Sequence, residues 1–149
     1  LQFPLPASYR DFVSRFGYGR LCGLFLIYVP LGGAPDSVEL RSEELHETIR
    51  FSLENELVEF EPDGDPELVA RLCPFGTSEN GDTLAWDAGS RGDDHELDVY
   101  VMGNKMLSVA KAGRNLRDFV RAITTTRVKT VLGPGYDPLA PRFTPFKRS

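Results

Sequence analysis

The stretch Leu21-Cys22-Gly23-Leu24-Phe25-Leu26-Ile27-Tyr28-Val29 is apolar at nearly every position and is bounded by Gly19 and Pro30. A strand with one wet face alternates apolar and polar side chains, so an unbroken apolar run implies cover on both faces. The run predicts a strand lying centrally in a sheet. From Leu21 to Pro30 it is far shorter than the roughly 20 residues that a membrane-spanning helix needs.

Helical periodicity surrounds this strand. Pro6 suits a first helical turn, where its missing N–H is not needed. Tyr9, Phe12, Val13 and Phe16 then recur at three- and four-residue steps, with Arg10, Asp11 and Ser14 on the other side. The spacing predicts a helix over 6–16, stopped at Gly17 and followed by a tight turn through Gly19. After a loop over 30–37 that contains Gly32, Gly33 and Pro35, Asp36 or Ser42 can cap a second helix, predicted to run to about Glu59. Leu45, Ile49, Leu53 and Leu57 form its apolar stripe.

Further on, Thr83–Asp87 reads as a strand carrying Trp86, the only tryptophan, and 97–101 with 105–110 read as hairpin arms around Gly103-Asn104. A last helix over about 115–125 buries Leu116, Phe119, Val120 and Ile123 and leaves Arg114, Arg117, Asp118 and Arg121 outside. Residues 133–149 read as an irregular tail that packs through Phe143 and Phe146 and carries basic Arg142, Lys147 and Arg148. At 149 residues the chain can bury one core and is short for two. The expected fold is a single α+β domain, mostly antiparallel sheet packed against helices, with 127–149 as a basic Pro/Gly-containing C-terminal extension.

The formal net charge of -5 conceals a segregation. Residues 1–104 hold seven Lys and Arg against 20 Asp and Glu, whereas 105–149 hold ten against two. Two arrangements are open: the basic third folds back over the acidic segment and neutralises it, which is the expectation, or each part stays exposed as a single-sign face. The acids of the second helix and its end, Glu43, Glu47, Glu54, Glu56 and Glu59, are the candidate partner-binding residues. Glu56 and Glu59, near the predicted helix end, gain nothing from the helix dipole and need solvent, a base or a partner. Arg114, Arg117 and Arg121 can line one helix face and form a candidate basic face for phosphates, a carboxylate-rich partner or the chain's own acids. The overall acidity argues against nucleic acid or a membrane surface as a partner.

The residue types that carry catalysis are sparse. His46 and His95, with the dispersed Cys22 and Cys73, make no zinc spacing, and Asp93-Asp94-His95-Glu96 lacks the alternating oxygen ligands of a calcium loop. No metal and no cofactor are expected. Neither histidine lies near a G-x-S-x-G elbow. Two free thiols and no basic-then-apolar leader make the cytoplasm the expected compartment.

Three motifs in order carry a resemblance. Leu5-Pro6 precedes Tyr9 and Phe12 in a short helix closed by Gly17 and Gly19; Gly81-Asp82 leads into a strand with Trp86 and Asp87; a closing helix is centred on Phe119. Over roughly residues 4–124 this pattern resembles the SUKH superfamily, which includes immunity proteins of bacterial polymorphic toxin systems and regulators of cell-wall assembly. Two departures stand out: Phe16-Gly17-Tyr18-Gly19 replaces the family's Asn-Gly-Gly turn, and the helix common before Leu-Pro is missing. The chain opens at Leu1 rather than at a methionine, and whether it is an excised or trimmed domain is left open. The resemblance implies a non-catalytic immunity protein that neutralises a cognate toxin, for example a nuclease, by binding it, with the motif residues mainly structural. A regulatory or scaffold module for an endogenous protein and a small carboxylate-dependent hydrolase are the alternatives, and a homodimer is left open.

Overall fold

The first helix of the computed structural model, α1 (Ala7–Phe16), begins directly after Pro6 and ends at Gly17, whose φ of 70° is the left-handed exit that glycine permits. The structure describes residues 3–31 and 33–146; Leu1, Gln2, Gly32, Lys147, Arg148 and Ser149 lie outside the described residues. The remaining elements are β1 (Gly19–Leu21), β2 (Phe25–Ile27), α2 (Val38–Glu54), α3 (Pro66–Ala70), β3 (Leu72–Ser78), β4 (Thr83–Asp87), β5 (Val99–Met102), β6 (Val109–Gly113), α4 (Leu116–Ile123), α5 (Val128–Val131) and β7 (Phe143–Pro145). Among the described residues the strands form one antiparallel sheet in the order β6-β5-β4-β3-β2-β1-β7. The fold is a single α+β domain, as the periodicities predict.

The apolar run at 21–29 is not one strand. It folds back on itself as the β1–β2 hairpin, with Leu21 paired to Phe25 across a turn at Cys22, Gly23 and Leu24. Cys22 and Gly23 both take positive φ, at 55° and 70°. Leu21, Phe25 and Ile27 point into a core while Cys22 and Leu24 are buried at the turn itself, so the run is apolar for two different reasons. β1 is kept off the sheet edge by β7, which pairs Phe143 with Leu21 and Pro145 with Gly19. The stretch read as a C-terminal extension is thus woven into the fold: α5 buries Val128 and Val131, and β7 adds a strand where the composition predicts an irregular tail.

Helix α2 also departs from the sequence reading. Ser37, rather than Asp36 or Ser42, is its N-cap, and the Ser37 hydroxyl accepts the Leu40 N–H at 3.2 Å. The helix stops at Glu54, five residues before Glu59. Glu56 sits at φ 57°, and the N–H groups of Leu57 and Glu56 return to the carbonyls of Ser52 and Leu53 at 2.8 and 3.3 Å. That is a Schellman ending with glutamate in the position glycine usually holds, so Glu56 and Glu59 lie on the following connector.

Side-chain alternation divides the interior. Leu84, Trp86, Val99 and Val101 face one side of the sheet and pack with Tyr9, Phe12, Leu116, Phe119 and Ile123 of α1 and α4. Ala85, Tyr100 and Met102 face the other and pack with Ile49 of α2 and with Leu68 and Val69 of α3. The chain is therefore three-layered, with α1, α4, α5 and the start of α2 (Val38, Leu45) packed in the first cluster and the C-terminal half of α2 (Ile49, Leu53) with α3 in the second.

Pro6 offers α1 no side-chain cap. Glu96, 88 residues away, supplies it: its carboxylate accepts the Ser8 N–H at 3.1 and 3.2 Å and the Ser8 hydroxyl at 2.9 Å. The Ser8 oxygen in turn accepts the Leu116 N–H at 3.0 Å, so one carboxylate ties together the starts of α1 and α4. Glu96→Ala should lower stability by about 1–2 kcal/mol, read as a lower urea midpoint at unchanged slope, with Glu96→Gln recovering part of the loss; a wild-type midpoint in the alanine variant would refute this cap.

Candidate functional site

Two surfaces of opposite charge emerge, one on each side of the sheet. On the α2 side, Glu43, Glu47 and Glu54 are exposed and share one helical stripe, being four and seven residues apart. Arg50 stands within the stripe and reaches Glu47 at 3.2 Å. Glu56 and Glu59 continue the acidic surface on the connector, both exposed. Amid these acids Phe51 is 60% and Leu57 53% exposed, a large apolar area to leave in water. Helical spacing places Leu57 in the buried stripe, but the Schellman turn ends the helix before it and turns it outward. Behind the acids a hollow of about 390 Å³ is lined by Leu53, Glu56, Val58, Phe60 and Pro66.

The expected fold-back of the basic third does not reach the α2 acids among the described residues. Among the described residues, Lys111–Asp98 at 3.2 Å and Arg117–Asp11 at 3.8 Å are the ion pairs that join the two segments, and neither involves Glu43, Glu47, Glu54, Glu56 or Glu59. The sheet stands between the C-terminal half of α2, with the connector that carries Glu56 and Glu59, and the arginines of α4.

On the other side a groove of about 440 Å³ opens between α1, α4 and β7. Its floor is apolar, from Phe12, Leu21, Val120 and Phe143, and its rim carries Arg15, Arg117, Arg121 and Arg142 against the single carboxylate of Asp11. Asp11 is shared between Arg15 at 3.4 Å and Arg117 at 3.8 Å. The predicted arginine series is split by the fold. Arg117 and Arg121 reach the groove, while Arg114, just before the α4 cap Asn115, lines a separate hollow of about 340 Å³ with Asp93, Asp94, Glu96 and Asp98. Arg15 and Arg142 carry no signal in the sequence, because 127 positions separate them and only the β1–β7 pairing brings them together.

Cys22 lies on the groove floor, 5% exposed, its N–H donating to the Arg142 carbonyl at 2.7 Å. Burial pushes the Cys22 thiol above its ordinary range, and the Arg142 side pulls it back less strongly. Burial raises the Cys73 thiol as well.

Several of the clustered acids hold structural hydrogen bonds or ion pairs. In the small hollow Glu96 caps α1, Asp94 accepts the Glu96 N–H at 3.1 Å, and Asp98 pairs with Lys111. Asp82, 8% exposed, accepts the Ser78 hydroxyl at 2.8 Å and the Asn104 N–H at 3.2 Å, so it braces the β3–β4 turn. Asp87, 5% exposed, accepts from Arg71 at 2.7 Å and from the Gly89 N–H at 2.9 Å.

The residues that carry the family resemblance fall on the core and its turns. Tyr9, Trp86 and Phe119 are buried, Phe12 nearly so, and Leu5 and Pro6 pack at the helix start. Gly81 turns at φ 90° against Asn104, and Gly19 lies so close to Thr144 and Pro145 that any side chain would collide with β7. His46 is half-buried, its Nδ1 3.1 Å from the Leu72 carbonyl. Comparison with protein-family models, curated proteins and solved structures returned no match.

Raised thiol pKa and burial act in the same direction on reactivity, since the thiolate is the nucleophile. In native protein at pH 8 both cysteines should react with a neutral disulfide reagent at least about tenfold more slowly than in urea; equal rates in the two conditions would show that neither thiol is shielded.

Proposed function

We propose that this chain is a non-catalytic protein-binding module of the immunity type, which neutralises a cognate toxin by direct contact through the acidic α2 surface. The class comes from the SUKH resemblance. The surface comes from one observation: five exposed acids, which no C-terminal base among the described residues pairs, lie on the same stretch as the outward-facing Phe51 and Leu57. Protein interfaces have this anatomy, an apolar centre that is desolvated on contact and a charged rim that steers approach. A nuclease toxin, basic where it holds its nucleic acid, is a complementary partner, and the cytoplasm is where such a toxin would have to be met.

A regulatory or scaffold role draws on a second observation, the basic groove on the opposite face, which gives the molecule two differently charged surfaces. The hydrolase alternative has no comparable support, because the clustered carboxylates hold structural hydrogen bonds.

Rim charges act on the encounter and central apolar contacts on dissociation. Against a cognate basic nuclease toxin, reversing Glu47, Glu54 and Glu56 to Lys should slow association by about tenfold or more at low salt, and the gap should close as salt rises. Phe51→Ala should instead raise the dissociation rate by about tenfold. Stopped-flow mixing measures both. Wild-type rates in both variants, with folded circular dichroism spectra, would remove the acidic surface from the interface.

A further inference from the structure

We propose that the groove between α1, α4 and β7 is a docking site for an acidic amphipathic helix of a partner protein, one that presents an aromatic or long aliphatic residue between carboxylates. The inference is independent of the acidic-surface reading and stands or falls without it. Three observations choose the occupant. The rim holds four guanidiniums against one carboxylate, and among the described residues Arg121 and Arg142 make no ion pair, so the groove lacks negative charge. Its floor is apolar and Phe16 on its lip is 48% exposed, so a bare anion would satisfy the rim and leave the floor wet. A ligand with both characters fills both, and guanidiniums pair carboxylates in a bidentate geometry.

Spacing and backbone chemistry select a helix. Arg117 and Arg121 stand four residues apart on α4, about 6 Å along its axis, which matches carboxylates one turn apart on an adjacent helix. An extended peptide would have to pair with the outer edge of β7. The N–H of Cys22 donates to Arg142, and that of Phe146 to Tyr18, so residues 142, 144 and 146 turn their backbone groups toward β1. The outer edge is left to Phe143 and to Pro145, which has no N–H to give, so a ladder there would stop after Phe143. A helix brings its backbone hydrogen bonds already made and needs only the rim and the floor.

The probe is a fluorescein-labelled helical peptide of about four turns with Glu at i and i+4 flanking Phe on one face, followed by anisotropy at physiological salt, where charges on the far face are screened. Binding should be weakened about tenfold or more by the double reversal Arg121→Glu, Arg142→Glu, and equally by replacing the peptide's Glu with Gln or its Phe with Ser. It should be unchanged by reversing Glu47 and Glu54. Amide shifts on titration should centre on Phe12, Val120 and Phe143. The proposal is overturned by absence of binding, by indifference to the arginine reversals, by a Ser peptide that binds as well as the Phe peptide, or by shifts centred on α2. Tighter binding of a single-stranded oligonucleotide than of the peptide would assign the arginines to phosphate and overturn it too. So would concentration-dependent self-association that the peptide fails to displace, since the occupant would then be a second copy's α2.

Discussion

The packing of Trp86 against Tyr9 and Phe75 is the contact on which the rest of the molecule depends. The indole stacks on Phe75 at 4.0 Å between ring centroids and meets Tyr9 edge-on at 4.9 Å. Such pairs add about 0.5–1.5 kcal/mol each beyond the area they bury. The Tyr9 hydroxyl then donates to the Tyr28 carbonyl at 2.6 Å, just past β2, and its burial holds the phenol well above its ordinary range. α1 is thereby fixed at the middle of the sheet by its own buried face. Phe25 against Phe119, edge-on at 5.2 Å, fixes α4 beside it, and the Glu96–Ser8–Leu116 hydrogen bonds lock the two helix starts together. The basic groove is the space these constraints leave between two helices that cannot move apart.

The sheet does more than hold a core, because it separates charge. Helices on opposite faces of a sheet stand roughly 20 Å apart, more than twice the Debye length of about 8 Å at physiological salt. Acids on the outer side of α2 and arginines on the outer side of α4 therefore hardly sense one another. A net charge of -5 describes neither surface. A partner approaching α2 meets a cluster of carboxylates, and one approaching α4 meets guanidiniums, so excluding anionic partners from the bulk charge holds for one face and fails for the other.

What was legible in the sequence follows from the range of the interactions involved. The extents of α1 and α4 come within a residue or two of their periodicity, and β4 matches its span, because local spacing and local caps such as Asn115 decide them. The acidic stripe was legible for the same reason, since Glu43, Glu47 and Glu54 share one helix. The hairpin at 21–27 was not, because a turn whose residues are themselves buried leaves no polar punctuation, and Gly23 is the sole local mark of it. Nor was the end of α2, where glutamate takes a left-handed conformation that glycine would have advertised. The groove was half legible: Arg117 and Arg121 by spacing, Arg15 and Arg142 only through contacts that span the chain.

Gly19 joins these threads. In the opening motif it reads as part of a tight turn after α1, and a turn alone would tolerate other residues. The structure gives it a second reason. The backbone of Thr144 and Pro145 crosses directly over its α-carbon, in the space a Cβ would occupy, as β7 pairs with β1. The same pairing carries Arg142 to the groove rim and Phe143 to its floor. A glycine near the start of the chain therefore records the docking of the chain's end. Losing that close approach would shift β7 and with it one wall of the basic groove, while α2 and its acids, on the far side of the sheet, would keep their places. The two charged surfaces are thus separable in structure as well as in field, so each can be altered without disturbing the other.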